Sequence, residues 1–210
     1  MQGKEIIHIL KGGAGTPESK VVINIKGFHG YFLRPLIVRS DLLKDADVTY
    51  LTELRNRYPK SFLTEFIATQ KRTAKWLSEI VYTDDTRILF MLESMSGERI
   101  GYMGVAYINW DNSYAEADAI VSGGRIEKGL MSSALQTLLL WAKSKLGIKT
   151  IGVRVLSDNP ALAFYQKLGF EEIKRVPLRS VISGEDVSWL EDELLEVAER
   201  YLVYHLWDKS

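Results

Sequence analysis

Ile151-Gly152-Val153-Arg154-Val155-Leu156-Ser157-Asp158-Asn159-Pro160-Ala161-Leu162-Ala163-Phe164-Tyr165-Gln166-Lys167-Leu168-Gly169-Phe170 reads as a strand leading into a capped helix that stops on a glycine. Asn159 is placed to accept a hydrogen bond from the orphan N–H groups of the helix start. Pro160 fits the first helical position, where no N–H is needed. Gly169 suits a left-handed stop. Ala161, Phe164, Tyr165 and Leu168 share one face by i, i+3, i+4, i+7 spacing, so the helix packs with a tyrosine among apolar neighbours. A hydroxyl carried to that place by so well-defined an element raises a chemical question.

Working outward, Lys149 to Leu156 is a strand, and a further strand runs from Phe170 to Val176. Upstream, Ser122-Gly123-Gly124-Arg125-Ile126-Glu127-Lys128-Gly129 is a glycine-bearing loop that opens a long helix. Met131, Ala134, Leu135, Leu138 and Ala142 mark its buried stripe, and Gly147 is its stop. Strands are expected at Tyr31 to Val38, Arg87 to Met95, Ile100 to Trp110 and Tyr114 to Val121. The second and third of these form a hairpin around Ser96-Gly97-Glu98. Helices are expected at Ala46 to Tyr58 and at Thr69 to Val81, where Thr73, Trp76, Leu77 and Ile80 recur at helical spacing. The tail reads as an acidic helix over Val187 to Ala198 and a last strand over Tyr201 to Trp207. Residues 1–30 stand apart: Glu5 to Leu10 and Lys20 to Lys26 read as two strands of a hairpin around the turn-rich Lys11–Pro17. The expectation is an α+β main domain over residues 31–210, a mixed, mostly antiparallel sheet flanked by helices, with an N-terminal hairpin added.

The 210 residues can bury a sizeable core. Lys plus Arg and Asp plus Glu are 27 each, so the net field gives no reason to expect a nucleic acid or an anionic membrane as partner. With no cysteine, thiol nucleophiles and cysteine-ligated metals are excluded. The start has no signal-peptide pattern, and no apolar run nears the roughly 20 residues of a membrane span. A cytoplasmic protein is expected. His8, His29 and His205 show no ligand spacing, so no metal is implied. Tyr107, Trp110 and Trp141 are expected in the core.

Two segments repeat one theme, a strand feeding a helix N-terminus, where successive N–H groups and the helix dipole attract a phosphate. Val155, Asn159, Ala163, Tyr165, Lys167, Gly169 and Phe170 resemble the Val…Asn…Ala…Tyr-x-Lys-x-Gly-Phe motif of the GNAT superfamily of acyl-CoA-dependent N-acyltransferases. Gly129 falls where that family's pyrophosphate loop, Gln/Arg-x-x-Gly-x-Gly/Ala, has its first glycine. Ile126 replaces the Gln or Arg, with Arg125 one residue early, and Met131 replaces the second small residue. A re-registered loop drawing charge from Arg125 and Lys128 is the expected remedy. The resemblance runs from about Phe32 to Trp207. Leu33-Arg34-Pro35-Leu36, Leu54-Arg55-Asn56 and Trp76-Leu77 look like the opening of the branch that holds nucleotide-sugar N-acetyltransferases and protein N-terminal acetylases.

What the resemblance implies is transfer of an acetyl group from acetyl-CoA to a primary amine by direct attack. The acceptor would be a small-molecule amine, with a nucleotide-linked amino sugar as the leading candidate. A protein N-terminus, or a non-catalytic acyl-CoA-binding module, is the alternative. Val121, Ile126, Glu127, Lys128, Gly129, Leu130, Met131, Ser132, Asn159 and Tyr165 would contact the cofactor. The strand at Ala119–Val121 would splay from the Lys149–Leu156 strand to admit the pantetheine, with a backbone N–H near Val121 polarising the thioester. Tyr165 would protonate the departing thiolate. Glu116 and Asp118, two apart and so on one strand face, are candidate bases, with Glu116 ranked first. A homodimer is compatible with the resemblance.

Overall fold

A computed structural model describes residues 2–13, 22–124 and 126–207. Its elements in chain order are α1 (Gly3–Gly12), β1 (Ile23–Asn24), β2 (Tyr31–Pro35), α2 (Asp45–Arg57), β3 (Thr64–Glu65), α3 (Gln70–Lys75), β4 (Ile88–Ser94), β5 (Arg99–Asn109), β6 (Tyr114–Ser122), α4 (Leu130–Leu146), β7 (Thr150–Leu156), α5 (Ala161–Lys167), β8 (Phe170–Ser183), β9 (Asp186–Glu191) and β10 (Arg200–Trp207). The strands form one sheet in the order β1-β2-β4-β5-β6-β7-β10-β8-β9-β3. Every neighbouring pair is antiparallel except β6 and β7. This is the mixed α+β architecture the sequence implies.

Helices cover both faces. Because side chains alternate along a strand, β4 feeds two cores at once. Ile88, Phe90 and Leu92 pack with Ile7 and Leu10 of α1 and with the apolar stripe of α4, while Leu89 and Met91 pack with Leu51 and Leu54 of α2. After α3 the chain continues as a wide π turn, Trp76–Val81, closed by Tyr82 N–H to the Leu77 carbonyl. There Val81 is buried, while Ile80, expected on the inner face, is 55% exposed.

Two expectations are corrected. Glu5 to Leu10 is not a hairpin strand but part of helix α1. Ile7, Leu10 and Lys11 make a single buried stripe, Glu5 accepts a hydrogen bond from the Gln2 amide, and Gly13 closes the helix at φ 59°. The isoleucine-rich run masks this helical spacing. Within Lys20 to Lys26, residues 20 and 21 lie outside the described residues, as does most of the expected turn; Ile23–Asn24 pairs with β2. The acidic tail helix is also absent: β9 returns along β8 through a turn at Gly184, φ 62°, and Leu194 and Val197 of the following loop stand 93% and 83% exposed. The first half of that stretch is taken instead by the ladder with β8, Ile182↔Val187 to Leu178↔Glu191, which leaves too few residues for a stable helix.

Two buried polar devices lock helices in place, one tying α2 to the sheet and one tying α1 to the turn that follows α3. Asp47, 2% exposed on α2, accepts from Arg34 of β2 at 3.0 Å and from Arg99 of β5 at 2.9 Å, and Arg34 also holds Glu93 of β4 at 2.7 Å. Lys11, also 2% exposed, donates from Nζ to the carbonyls of Val81 at 2.8 Å and Asp84 at 2.6 Å. Burial lowers its pKa to about 8, against the opposing pull of Asp84 and Asp85.

Asp47→Ala leaves two guanidinium groups without their shared carboxylate and should destabilise the fold by on the order of 3 kcal/mol in chemical denaturation. Removal of the surface pair partner in Asp41→Ala should leave the midpoint in place. The lysine gives a pH signature. Its folded pKa lies below its unfolded value of 10.5, so between about 8 and 10.5 the unfolded chain holds the extra proton and stability contributed at this site rises with pH. Comparing wild type with Lys11→Met across that window should show this increment in the wild type only; parallel curves would reject it.

Candidate active site

The site begins where two strands part. β6 and β7 pair only through Tyr114↔Thr150, Ala115↔Ile151 and Glu116↔Gly152, although β6 runs on to Ser122 and β7 to Leu156. On their outer edges β7 stays paired with β10 up to Leu156 and β6 with β5 up to Ser122, so each strand is held by its antiparallel partner while the two part from each other. The cause is a bulge: between the pairs Tyr102↔Val121 and Gly104↔Asp118, Ala119 and Ile120 oppose Met103 alone. Ala119 takes φ 55°, a left-handed conformation that costs an alanine energy and redirects the strand. Gly152 closes the paired part, since a Cβ there would collide with the Tyr114 hydroxyl.

The parting opens a cleft of about 760 Å³. Residues 117–122 of β6 and 153–156 of β7 form its walls, and Asn159 and Tyr165 close one side. Asn159 Oδ1 accepts from the Ala161 amide at 2.9 Å and Gly169 stops the chain at φ 88°, as expected, but the helix begins at Ala161, so Pro160 stands just before it rather than at its first position. Asn159 Nδ2 also reaches the Ser61 carbonyl at 3.4 Å, tying α5 to the segment across the cleft. Arg200 braces the same turn by holding Asp158 at 2.9 Å and Glu65 at 2.9 Å.

Tyr165 is 6% exposed, edge-on to Phe164 and Phe170 at 5.3 and 5.5 Å, and lines the cleft. Its hydroxyl has no hydrogen-bond partner among the described residues. Burial, and then the Asp118 carboxylate, push its pKa well above that of a free phenol, so it remains a proton donor. Asp118 also lines the cleft, at the bulge, with 31% of its side chain exposed and Arg87 Nε 3.7 Å away. Burial raises its pKa, and Arg87 and Arg154 pull it back. A raised carboxylate pKa in a cleft is the condition a general base needs.

The two candidate bases are thereby separated. Glu116 lies in the paired part of β6, 8% exposed, where Arg154 Nε donates to it at 2.6 Å and the Tyr114 hydroxyl at 3.1 Å, and it is not among the residues lining the cleft. Period-two spacing puts both on one face; what separates them is that pairing with β7 ends at Glu116↔Gly152, so Asp118 lies beyond it at the opening, just before the bulge. Tyr107 corrects another expectation. A second bulge, where Tyr107 and Ile108 oppose Ala115, gives Tyr107 φ 52° and leaves it 49% exposed on the cleft wall, under Arg154 at 4.3 Å. Trp141 is in the core as expected, edge-on to Phe90 at 5.1 Å, and Trp110 packs partly buried against it.

Beyond Val121 the chain enters the glycine-bearing loop, of which Arg125 lies outside the described residues. Ile126 packs against the core, Glu127 and Lys128 are exposed, and Gly129 at φ 89° starts α4 without a side-chain cap. Leu130 N–H is taken by the Glu127 carbonyl, and Ser133 makes the first full helical bond. The N–H groups of Met131 and Ser132 therefore have no partner within the helix. Met131 is 9% exposed, its side chain turned into the core, so it leaves those donors uncovered. The sequence gives no hint of Arg57, which reaches across from α2 to donate to the Gly123 carbonyl and sets a cation at the rim.

The opposite end of the cleft is built by α2, α3 and the segment between them. Asn56 exchanges two hydrogen bonds with Ala68, at 2.9 and 2.7 Å, and thereby closes that segment into a rigid loop. Arg55 lies over the rings of Phe62 at 3.7 Å and Phe66 at 4.5 Å, and Arg72 over Phe66 at 3.6 Å. The sequence wording singles out Arg55 and Asn56 but not this aromatic partnership, which depends on loop closure.

Comparison with known proteins agrees with this geometry. The model of the acetyltransferase (GNAT) domain matches residues 33–171. No curated protein matches the sequence. Among solved structures, the spermidine N-acetyltransferase of Vibrio cholerae in complex with CoA and spermine superposes with a TM-score of 0.63 at 19% identity, over 85% of this chain and 96% of that one. The Salmonella typhimurium acetyl transferase that modifies the N-terminal serine of a 50S ribosomal subunit protein gives 0.66 at 14% identity, over 89% and 98%. A probable GNAT-family acetyltransferase from Chromobacterium violaceum gives 0.64 at 16% identity, over 89% and 90%. At such identities the likeness is one of fold. The family match spans most of the chain, and the parted strands, the uncapped helix start and Tyr165 stand inside or beside it: the chain belongs to the GNAT family of acetyltransferases.

Proposed function

We propose that this protein transfers an acetyl group from acetyl-CoA to the primary amine of a small molecule by direct attack. The observation that carries the reading is the convergence, at the parting of β6 and β7, of a buried tyrosine that lines the cleft and a carboxylate of raised pKa. Acetyl-CoA supplies the activated acetyl group as a thioester. Asp118 takes a proton from the incoming ammonium, directly or through water, so that the free amine attacks the carbonyl carbon. A backbone N–H near Val121, next to the bulge at Ala119 and Ile120, stabilises the developing oxyanion. As the C–S bond breaks, Tyr165 shares its proton with the sulfur. A phenol is intrinsically a weaker acid than a thiol, so the proton moves as charge develops rather than beforehand.

For the cofactor, Gly129, Leu130, Met131 and Ser132 offer backbone donors at the start of α4 to the pyrophosphate, with Lys128 and Arg57 adding charge. Asn159 reaches the pantetheine arm from the other wall while it caps α5. Ile126 serves as the apolar anchor of the loop, and Glu127 supplies the carbonyl that shapes it. Asp118 replaces Glu116 as the preferred base because Glu116 is held in an ion pair.

Three measurements test this. Acetyl-CoA at 100 times its Kd should raise stability by about 2.7 kcal/mol in a thermal-shift titration; no shift at millimolar cofactor rejects the site. Tyr165→Phe should lower kcat by about 10²-fold with acetyl-CoA affinity retained, and an unchanged kcat removes Tyr165 as the acid. The acidic limb of the kcat–pH profile should fall above 3.8, the ordinary aspartate value, because activity needs the ionised carboxylate and burial raises its pKa. Asp118→Asn should abolish that limb together with most of the activity, while full activity in this variant would return the role to Glu116.

A further inference from the structure

The acceptor end of the cleft holds one cation that the protein leaves uncompensated. Four arginines and one carboxylate, Asp118, line the cleft among the described residues. Arg154 is neutralised by Glu116 at 2.6 Å and Arg72 by Asp186 at 2.9 Å, while Arg87 lies between Asp84 at 3.9 Å and Asp118 at 3.7 Å. Arg55 has no ion pair among the described residues. Its Nη2 donates to the Thr64 carbonyl, but its Nη1 is buried with no acceptor. The nearby carboxylate of Glu65 is already held by Arg200 at 2.9 Å and the Trp189 indole at 2.8 Å. Burial lowers the Arg55 pKa to about 10, and Arg72 adds to the lowering.

A buried guanidinium donor without an acceptor is costly unless a ligand completes it. Phe62 and Phe66 hold the guanidinium plane, so its donor fork is preorganised for a planar or tetrahedral oxyanion. The cleft offers a polycation one lining carboxylate, Asp118, which already lies beside Arg87, and one uncompensated guanidinium, Arg55. We infer that the acceptor amine carries an anionic group, a carboxylate or a phosphate, and that Arg55 is the residue that selects it. This rests on the acetyltransferase reading above and adds the chemical class of the acceptor.

The test compares matched amines in a CoA-release assay: glucosamine 6-phosphate against glucosamine, 4-aminobutyrate against 4-aminobutyramide, and spermidine as the polycation. In each pair that turns over, the anionic member should have a kcat/KM at least about tenfold higher, carried by KM. Arg55→Gln should erase the preference, and Arg55→Lys should restore part of it, with acetyl-CoA affinity unchanged in both. A merely structural Arg55 would lower stability without altering the ratio within a pair, and preference for neutral amines or spermidine overturns the inference. Should no pair turn over, inorganic phosphate is titrated calorimetrically onto the CoA-saturated protein. Saturable binding lost in Arg55→Gln supports the inference, and its absence rejects it. Failure to bind acetyl-CoA at all instead removes the underlying reading.

Discussion

The site depends on one constraint: two parallel strands that share only three residue pairs. A continuous ladder from Glu116 to Ser122 would join β6 and β7 and leave no cleft. The bulge at Ala119 prevents it, and the antiparallel partners outside, β5 and β10, keep the sheet whole around the opening. The strain of a left-handed alanine is thus placed where the backbone must be available to a ligand. The rigid surroundings make that placement affordable, since β4 and β5 are buried on both faces and α4 is packed along most of its length.

The same parting separates the two carboxylates of β6. Before it, Glu116 belongs to the sheet and is consumed by Arg154 and Tyr114. Beyond it, Asp118 lines a partly enclosed space together with Tyr165, whose pKa is raised by burial first and by the Asp118 carboxylate second. Arginines gather around this point in different states of compensation. Arg154 and Arg200 brace the scaffold, whereas Arg55 retains an unfilled donor facing the question of what the acceptor carries.

Much of this was legible in the sequence because it is local. The Asn159 cap, the Gly169 and Gly147 stops and the alternating β4–β5 hairpin follow from spacing within a few residues. What was not legible is contextual. Glu116 and Asp118 look equivalent at period two, and only the end of the β6–β7 ladder at Glu116, a non-local pairing, tells them apart. Tyr107 reads as a core residue until a second bulge turns it outward. Met131 stands where a small residue is expected, yet the helix directs its side chain inward and its amide outward. The N-terminal helix was hidden by isoleucines of high strand propensity, with the Lys11 contacts to Val81 and Asp84 some seventy residues away. The β8–β9 hairpin was hidden by a helix-like spacing of Val187, Leu190, Leu194 and Ala198, which pairing of Val187–Glu191 with β8 overrides.

The central claim is that the backbone on the two sides of the strand parting forms the cofactor site. Amide hydrogen exchange with and without acetyl-CoA tests it most directly. Protection should appear at Ala119 to Ser122 of β6 and at Met131 and Ser132 at the start of α4, while the buried β4 amides stay unchanged. Acetyl-CoA that binds and leaves those amides exchanging at their free rates would contradict the account.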